Sequence, residues 1–351
     1  MSDQEFILKT FELARRGLGK TWPNPLVGAV IVKDGKIIGQ GYHHEYGQVH
    51  AEVDALNNCL ESAIGSTIYV NLEPCCHTHK QTPPCAQRLI QEKIKKVVIC
   101  NLDPNPSVNG KGLELLKQNG IDVEYGVLSE EGEKLNEVFF YAQRNKTPFI
   151  HLKLATTLDG KIALPSGESQ WITSEESRAC VHGLRSDHQG VIAGAETIRT
   201  DNPKLNVRLP DYSGSQPWRI IFTKSGRLPK TSQIFTDELK EKTLIYTHQE
   251  TSFDLPSENI IKIESLSQAM QDLYERKFIN LFLEGGANLA SSFMKENFVN
   301  RITLFMNPSF LGAGKSALTD FGLTQLNNRP KLTQMESRRL GEDFIITGRL
   351  K

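Results

Sequence analysis

His50, Glu52, Cys75 and Cys85 are the residue types of a metal-assisted hydrolytic site. Glu52 stands two residues after His50, and Cys75 directly follows Pro74. One imidazole and two thiolates suit zinc and leave its fourth position open to a water, whose pKa the metal lowers. A nearby glutamate can carry a proton from that water to a leaving amine. These residues predict zinc-dependent hydrolytic deamination, with Glu52 as the catalytic acid and base.

The loop between the two cysteines is longer than the general pattern of zinc nucleobase deaminases. That pattern, His-x-Glu followed by Pro-Cys-x-x-Cys, separates the cysteines by two residues. Here the nine residues CHTHKQTPP separate them. The insert makes Cys76 an alternative first sulfur ligand and His77 an alternative ligand or substrate contact. We interpret His79 as an ordinary polar loop residue.

Several motifs in the first half resemble the deaminases of riboflavin biosynthesis, which have a three-layer fold like that of cytidine deaminase. They are Pro23-Asn24-Pro25-Leu26-Val27-Gly28, His50-Ala51-Glu52, Leu72-Glu73-Pro74-Cys75, the Thr82-Pro83-Pro84 before Cys85, and Asp103-Pro104-Asn105-Pro106. In that family the first thiolate follows Glu-Pro, so the resemblance implies His50, Cys75 and Cys85 as the zinc ligands. It implies substrate contacts at Asn24, His43, Lys80, Asp103 and Asn105. Lys80 is offset, because Gln81 occupies the position where the family has its basic residue.

The second half carries a further resemblance, to the reductase of riboflavin biosynthesis, which is similar in fold to dihydrofolate reductase. Its motifs are HLKLA from His151 with Asp159-Gly160-Lys161, GESQWIT from Gly167, GAETI from Gly194 with Asp201-Asn202-Pro203, and Glu284-Gly285-Gly286. The resemblance implies NADPH as cofactor. It implies substrate contacts at Ser169, Arg185, Leu205, Arg208 and Glu284, and cofactor contacts at Ala155, Trp171, Thr197, Asp201, Thr223, Gly286, Ala287, Asn288, Leu289, Ala290, Ser291 and Ser292.

Physical chemistry supports part of this second assignment. Glu284-Gly285-Gly286 follows the apolar run INLFL and precedes a predicted helix, so its backbone can approach a cofactor phosphate at the helix N-terminus. An ordinary strand-to-helix turn is the alternative. Lys153, Arg185 and Arg208 could surround a ribose phosphate. We expect Lys153 to be catalytic by stabilising charge at the opening sugar ring, with Glu284 as a second candidate.

No Rossmann fingerprint or P-loop accompanies these residues. The nearest match, the segment from Gly312 to Ala317, follows an interrupted apolar run, and Ser309 stands where a P-loop requires its first glycine. We predict a loop turn there.

The elements that position these residues alternate between strands and helices. In the first half we predict a helix over 3–18, a hairpin of strands 27–32 and 37–42, a helix over 50–59, strands 67–72 and 96–100, and a helix over 130–143. The second half repeats the alternation with FIHLKLATT, GVIAGAETI, WRIIFT, KTLIYT, INLFLEGG and RITLFM. The chain is therefore predicted to be α/β. A polar joint at 144–148 divides a deaminase domain, 1–145, from a reductase domain, 147–351.

Length and charge narrow the classes of function. At 351 residues two domains are expected, and the balance of 41 basic against 41 acidic side chains argues against nucleic acid as partner. No apolar run reaches the roughly 20 residues of a membrane span. The first residues, MSDQEFILKT, lack the features of a signal peptide, so we expect a cytoplasmic protein. Cys59, Cys100 and Cys180 are each expected to be small buried apolar residues. The sequence leaves the oligomeric state open, and a homo-oligomer is one alternative.

The resemblance implies two consecutive reactions: a phosphoribosylated diaminopyrimidinone loses its ring amine, and the ribosyl chain of the product is reduced to ribityl by NADPH. One alternative is a nucleic-acid or nucleoside cytidine or adenosine deaminase with an accessory domain. Another is a regulatory binding protein with decayed catalytic motifs. The neutral charge and the Thr-Pro-Pro-Cys loop argue against the first, and the intact zinc ligands and glutamate against the second.

Overall fold

The computed structural model describes residues 1–76, 84–105 and 108–351, which form two compact units. Unit 1 is Met1–Lys146 and unit 2 is Thr147–Lys351. His77, His79 and Lys80 lie outside the described residues. Across the described ranges, no helix is both long enough and apolar enough to cross a bilayer.

Unit 1 contains a mixed sheet with the strand order β2-β1-β3-β4-β5. Strand β1 is antiparallel to β2 and β3, whereas β3, β4 and β5 are parallel. The elements are α1 (Asp3–Ala14), β1 (Gly28–Lys33), β2 (Lys36–Tyr42), α2 (Ala51–Asn57), β3 (Thr67–Leu72), α3 (Cys85–Gln91), β4 (Lys96–Asn101), α4 (Lys111–Gln118), β5 (Asp122–Tyr125), α5 (Ser129–Leu135) and α6 (Glu137–Asn145).

Helices cover both faces of this sheet. Side chains alternate along β1, so Ala29 and Ile31 pack with α2, α3 and α4, while Val30 and Val32 pack with α1 on the other face. The predicted helix over 130–143 is wrong in one respect, because it is broken at Asn136. At the break, the Asn136 side chain donates to the Leu26 carbonyl and accepts the Leu26 N–H, which ties this point of the chain to the segment before β1.

Unit 2 contains a sheet with the order β11-β10-β9-β8-β12-β6-β13-β16-β15, parallel from β11 through β13 and antiparallel beyond it. The elements are β6 (Phe149–Thr157), β7 (Lys161–Ala163), α7 (Glu175–Ser186), β8 (Gly190–Gly194), α8 (Ala195–Asp201), β9 (Trp218–Thr223), α9 (Gln233–Thr236), β10 (Thr243–Thr247), β11 (Ile260–Lys262), α10 (Leu266–Glu275), β12 (Asn280–Leu283), α11 (Ala287–Lys295), β13 (Val299–Asn307), β14 (Lys315–Ser316), β15 (Leu332–Leu340) and β16 (Asp343–Leu350).

The core of unit 2 lies on both faces of its sheet. Helices α10 and α11 pack on one face, and α7, α8 and α9 on the other. The run GVIAGAETI is a strand only as far as Gly194, and its last four residues begin α8. Strand β12 lies between β6 and β8, parallel to both. Their carboxyl ends therefore face the same edge of the sheet, where open α/β sheets bind ligands.

Candidate active sites

His50, Cys75 and Cys85 form a cluster in unit 1, called the metal cluster below. His50 is the residue before α2, Cys75 follows the end of β3, and Cys85 is the first residue of α3. The His50 Nδ1 atom lies 3.3 Å from Cys85 Sγ and 3.5 Å from Cys75 Sγ. The backbone N–H of Cys85 donates to Cys75 Sγ at 3.4 Å, which holds the two cysteines together.

The geometry of the metal cluster fits zinc. All three potential ligand atoms lie within 4.8 Å of one another. Ordinary Zn–N and Zn–S lengths in a tetrahedral centre place the nitrogen and sulfur atoms about 3.6 Å apart, close to the observed separations. The hydrogen bond from Cys85, together with His50 and against the effect of burial, lowers the pKa of the Cys75 thiol to about 3. Cys75 is thereby favoured as a thiolate, the form that binds zinc.

Cys76 does not belong to this cluster in the part of the chain that the structure describes. Its side chain is half-buried and packs against the apolar core beneath α2 and α3. The geometry therefore favours Cys75 over Cys76 as the first sulfur ligand.

Glu52 is the second residue of α2 and lies beside the metal cluster. Its side chain is 3% exposed, and it hydrogen-bonds to Cys85. Burial raises the pKa of its carboxyl group, and the charge of His50 opposes this shift. A carboxyl group with a raised pKa is suited to accept and return a proton near neutral pH.

Asn24 and His43, the predicted substrate contacts of the first segment, bond to each other. The His43 Nδ1 atom lies 3.0 Å from the Val49 carbonyl, so it carries the proton that this acceptor needs. In the neutral ring, Nε2 then accepts from the Asn24 amide at 3.1 Å. The segment after Asn24 is held by Asn71, whose side chain accepts the Gly28 N–H and donates to the Leu26 carbonyl. The orientation of the Asn24 amide is thus set by its surroundings.

Asp103 and Asn105 lie together after β4. The Asp103 carboxylate accepts the Asn105 N–H at 2.8 Å. Asp103 also lines a small cavity of about 310 Å³ with residues Asn101, Leu102, Pro104, Asn109, Phe140 and Arg144. Lys80, the remaining predicted substrate contact of unit 1, lies outside the described residues.

Unit 2 holds a larger cavity of about 700 Å³, called the cationic cavity below, within the usual size of a ligand pocket. It gathers most of the residues predicted for the reductase site: Lys153, Ala155, Ser169, Trp171, Arg185, Thr197, Asp201, Leu205, Arg208, Glu284 and Gly286. Positive side chains exceed negative ones in its lining, since five are Lys or Arg and two are Asp or Glu. This excess suits the phosphates of a nucleotide cofactor and of a sugar-phosphate substrate.

Arg185 and Glu284 form a buried ion pair in the cationic cavity. The guanidinium donates to both carboxylate oxygens, and a further N–H donates to the Asn206 carbonyl at 2.9 Å. Burial alone would raise the pKa of Glu284, but Arg185 and Lys153 lower it on balance. Burial lowers the pKa of Lys153, and the Glu284 charge opposes the shift. Lys153 therefore holds its proton less tightly than an exposed lysine does.

Two residues of α7 that line the cationic cavity, Arg178 and His182, were not predicted from the sequence. Arg178 lies over the ring of Trp171, 4.6 Å from its centroid, and donates to the Thr173 carbonyl. His182 Nδ1 accepts the backbone N–H of Arg208 at 3.3 Å. Burial and the charges of Arg185 and Arg208 lower the pKa of His182 to about 4, so the ring is neutral and its proton lies on Nε2.

The spacing of these residues was available in the sequence. Arg178, His182 and Arg185 are separated by four and three residues, which places them on one helix face.

Some predicted cofactor residues do not line the cationic cavity. Thr223 is buried at the end of β9, where its hydroxyl accepts the Gly226 N–H. The Ser291 hydroxyl bonds to the backbone of Thr319, and Ser292 donates to Asn288. The lining includes Gly286 but not the segment from Ala287 to Ser292 in α11. These contacts stay predictions.

Comparison with known proteins gives two family matches. A model of the zinc-binding region of cytidine and deoxycytidylate deaminases matches residues 1–101. A model of the RibD C-terminal domain matches residues 148–346. Together they confirm the predicted α/β fold class, a cytidine-deaminase-like domain followed by a reductase domain like dihydrofolate reductase.

Full-length relatives agree with these matches. The riboflavin biosynthesis protein RibD of Aquifex aeolicus is 40% identical over 98% of this chain and 97% of its own length. The structure of Acinetobacter baumannii RibD matches with a TM-score of 0.91 at 35% identity, over 99% of both chains.

A Thermotoga maritima structure described as a diaminohydroxyphosphoribosylaminopyrimidine deaminase and 5-amino-6-(5-phosphoribosylamino)uracil reductase matches with a TM-score of 0.87 at 36% identity, over 99% of both chains. The alternative of a nucleic-acid or nucleoside deaminase is not favoured by these relatives. The chain belongs to the RibD family of riboflavin biosynthesis proteins, bifunctional enzymes that join a zinc-dependent deaminase to an NADPH-dependent reductase.

Proposed function

We propose that unit 1 deaminates 2,5-diamino-6-(5-phosphoribosylamino)pyrimidin-4(3H)-one and that unit 2 then reduces the ribosyl chain of the product to ribityl phosphate. The observation that supports this proposal is that one chain brings together a candidate metal cluster and a separate cationic cavity. The metal cluster lies beside the buried Glu52, and the partly buried Lys153 lines the cationic cavity. Each set of groups suits one of the two reactions.

In the first reaction water replaces the ring amine, which leaves as ammonia. His50, Cys75 and Cys85 would hold zinc, which supplies a water of lowered pKa when bound. Glu52 accepts a proton from the attacking water and delivers it to the departing amine, so no proton is lost or gained overall. Asn24 would orient the pyrimidine, whose edge carries both hydrogen-bond donors and acceptors. His43 would act through Asn24, because its two ring nitrogens bond to the Val49 carbonyl and the Asn24 amide.

In the second reaction the sugar ring opens. The sugar carbon attached to the amine receives a hydride, and the former ring oxygen receives a proton. NADPH, held by the cationic cavity, supplies the hydride when bound. Lys153 would donate its proton to the sugar oxygen as the ring opens, which its lowered pKa favours. Arg185 and Arg208 would bind the substrate phosphate through their guanidinium groups, and the ion pair with Glu284 holds Arg185 in place.

The substrate is thus a small phosphorylated pyrimidine, and we place the reactions in the cytoplasm.

One experiment tests the order of the two reactions. The intact enzyme receives the diamino substrate and NADPH, and ammonia release and NADPH oxidation are followed together. We expect ammonia release without NADPH, and NADPH oxidation only after deamination. Removal of zinc with a chelator should stop both signals from the diamino substrate and spare NADPH oxidation when the deaminated compound is supplied. NADPH oxidation by the diamino substrate in the chelated enzyme would contradict the proposal.

A further inference from the structure

Glu73 is a buried carboxylate between the metal cluster and the loop that carries Asp103. It follows β3, directly before Pro74 and Cys75, and it is 4% exposed. Four backbone N–H groups donate to its two oxygens. Oε2 accepts from Asp103 at 3.2 Å and Gly110 at 3.0 Å, and Oε1 accepts from Gly112 at 2.9 Å and Leu113 at 3.3 Å.

Three of these donors belong to the N-terminus of α4. Gly110 is the residue before the helix, and Gly112 and Leu113 lie in its first turn, where N–H groups have no partner within the helix. Gly110 has no side chain to cap them. The negative charge of Glu73 also lies at the positive end of the helix dipole, where it stabilises the helix. Glu73 therefore caps α4 from another part of the chain.

The backbone packing makes the same connection independently. A Cβ atom added to Gly112 would lie 2.3 Å from the Pro74 carbonyl oxygen and 3.1 Å from Glu73 Oε1. The first turn of α4 is therefore in direct contact with the backbone that precedes Cys75. In addition, the Glu73 N–H donates to the Asn101 carbonyl at 2.9 Å, which fixes the start of the loop after β4.

We propose that Glu73 is a positioning residue of the deamination site, one that holds Asp103 and Asn105 in place for the pyrimidine through its hydrogen bonds to the loop and to α4. Its bond to the Asp103 N–H and the bond from Asn105 to the Asp103 carboxylate form one continuous connection. This inference rests on the proposed deamination. It assigns Glu73 an effect on substrate binding rather than on proton transfer or metal binding.

The test compares Glu73→Gln and Glu73→Asp with Glu61→Gln, an exposed carboxylate of the same unit, in the full-length zinc enzyme. Gln replaces one acceptor by a donor that faces N–H groups, and Asp keeps the charge but is one methylene shorter. For Glu73→Gln we expect amide hydrogen exchange in residues 108–118 to accelerate, and KM for ammonia release to rise about tenfold, the loss expected for hydrogen bonds to a charged group. In Glu73→Gln the kcat and the zinc content should stay near those of the unsubstituted enzyme. The exchange rate and KM of Glu73→Asp should lie between those of Glu73→Gln and the unsubstituted enzyme. Glu61→Gln should leave all of these quantities unchanged.

Unchanged exchange and unchanged KM in Glu73→Gln would overturn the proposal. So would a loss of zinc in proportion to activity that added zinc restores, because Glu73 would then act through the metal ligands. If Glu73→Gln does not fold, Glu73→Asp decides, and an exchange rate and KM equal to the unsubstituted enzyme would overturn the role. An unsubstituted enzyme that releases no ammonia would refute the proposed function itself, which is a different result from an active enzyme indifferent to Glu73.

Discussion

The metal cluster and the cationic cavity differ in how their residues are distributed along the chain. The metal cluster uses residues 50, 75 and 85, each at a strand end or a helix start. The cationic cavity uses residues from 153 to 286, drawn from β6, α7, α8 and the turn after β12. A metal requires few ligands at fixed spacing, whereas a nucleotide and a sugar phosphate require a wide surface. The first site should therefore lose activity when any one of its residues changes, whereas the residues of the second should contribute unequally.

We expect the largest loss of activity from Glu52→Gln. The amide occupies the same space but cannot accept and return a proton, so ammonia release should fall at least about 100-fold. Zinc content should persist, and so should NADPH oxidation with the deaminated substrate. Zinc is measured by elemental analysis, with Glu61→Gln as the matched control. Ammonia release above about a hundredth of the normal rate would contradict the assigned role.

The cysteines test which sulfur atoms complete the metal cluster. Cys75→Ser and Cys85→Ser should each lower zinc content sharply and abolish deamination, because serine is a poor substitute for a soft thiolate. Cys76→Ser should retain most of the zinc, since its side chain packs against the core. Zinc per chain and ammonia release are the measurements. A loss of zinc from Cys76→Ser with none from Cys75→Ser would move the ligand to Cys76.

Lys153 tests the chemistry of the cationic cavity. Lys153→Met should slow NADPH oxidation by about 100-fold, as expected for loss of a charged group at the reacting atoms. Lys153→Arg keeps the positive charge, but its guanidinium does not give up a proton, so its rate should stay well below that of the unsubstituted enzyme. Because burial lowers the pKa of Lys153, reduction should decline as pH rises through a value below 10.5, where the proton is lost. In Lys153→Arg this decline should move to higher pH. An unchanged pH profile would show that Lys153 is not the titrating group.

His182 should give the smallest effect. We expect His182→Gln to raise KM for the deaminated substrate about threefold to tenfold, the loss of one neutral hydrogen bond. The pKa of about 4 keeps the ring uncharged above that pH, so His182 should add no pH dependence between pH 6 and 8. Steady-state kinetics of NADPH oxidation provide the measurement. A KM that rises in step with deprotonation near pH 6.5 would show that the ring binds as a cation.

The two regions also differ in what the sequence could predict. His50 and Glu52 follow the general His-x-Glu pattern of zinc deaminases, so the sequence could predict them. The resemblance indicated Cys75 and Cys85 in spite of their unusual spacing, and only the geometry adds a reason to prefer Cys75 to Cys76. In unit 2 the resemblance supplied the predicted residues, and no general chemical rule required them. His182 could have been found from its helical spacing to Arg178 and Arg185, but its neutrality could not, because it depends on burial and on the charges of Arg185 and Arg208. The break at Asn136 was missed because its bonds to Leu26 join distant parts of the chain.

We propose that the chain holds two separate catalytic units, with the reductase entirely in residues 147–351. The most direct measurement is NADPH binding and NADPH oxidation by that fragment alone, supplied with the deaminated phosphoribosyl pyrimidine in the absence of zinc. Circular dichroism should first establish that the fragment is folded. We predict that it binds NADPH and reduces the substrate, because Lys153, Arg185, Arg208 and Glu284 all lie within it. A folded fragment that neither binds NADPH nor oxidises it would contradict the claim.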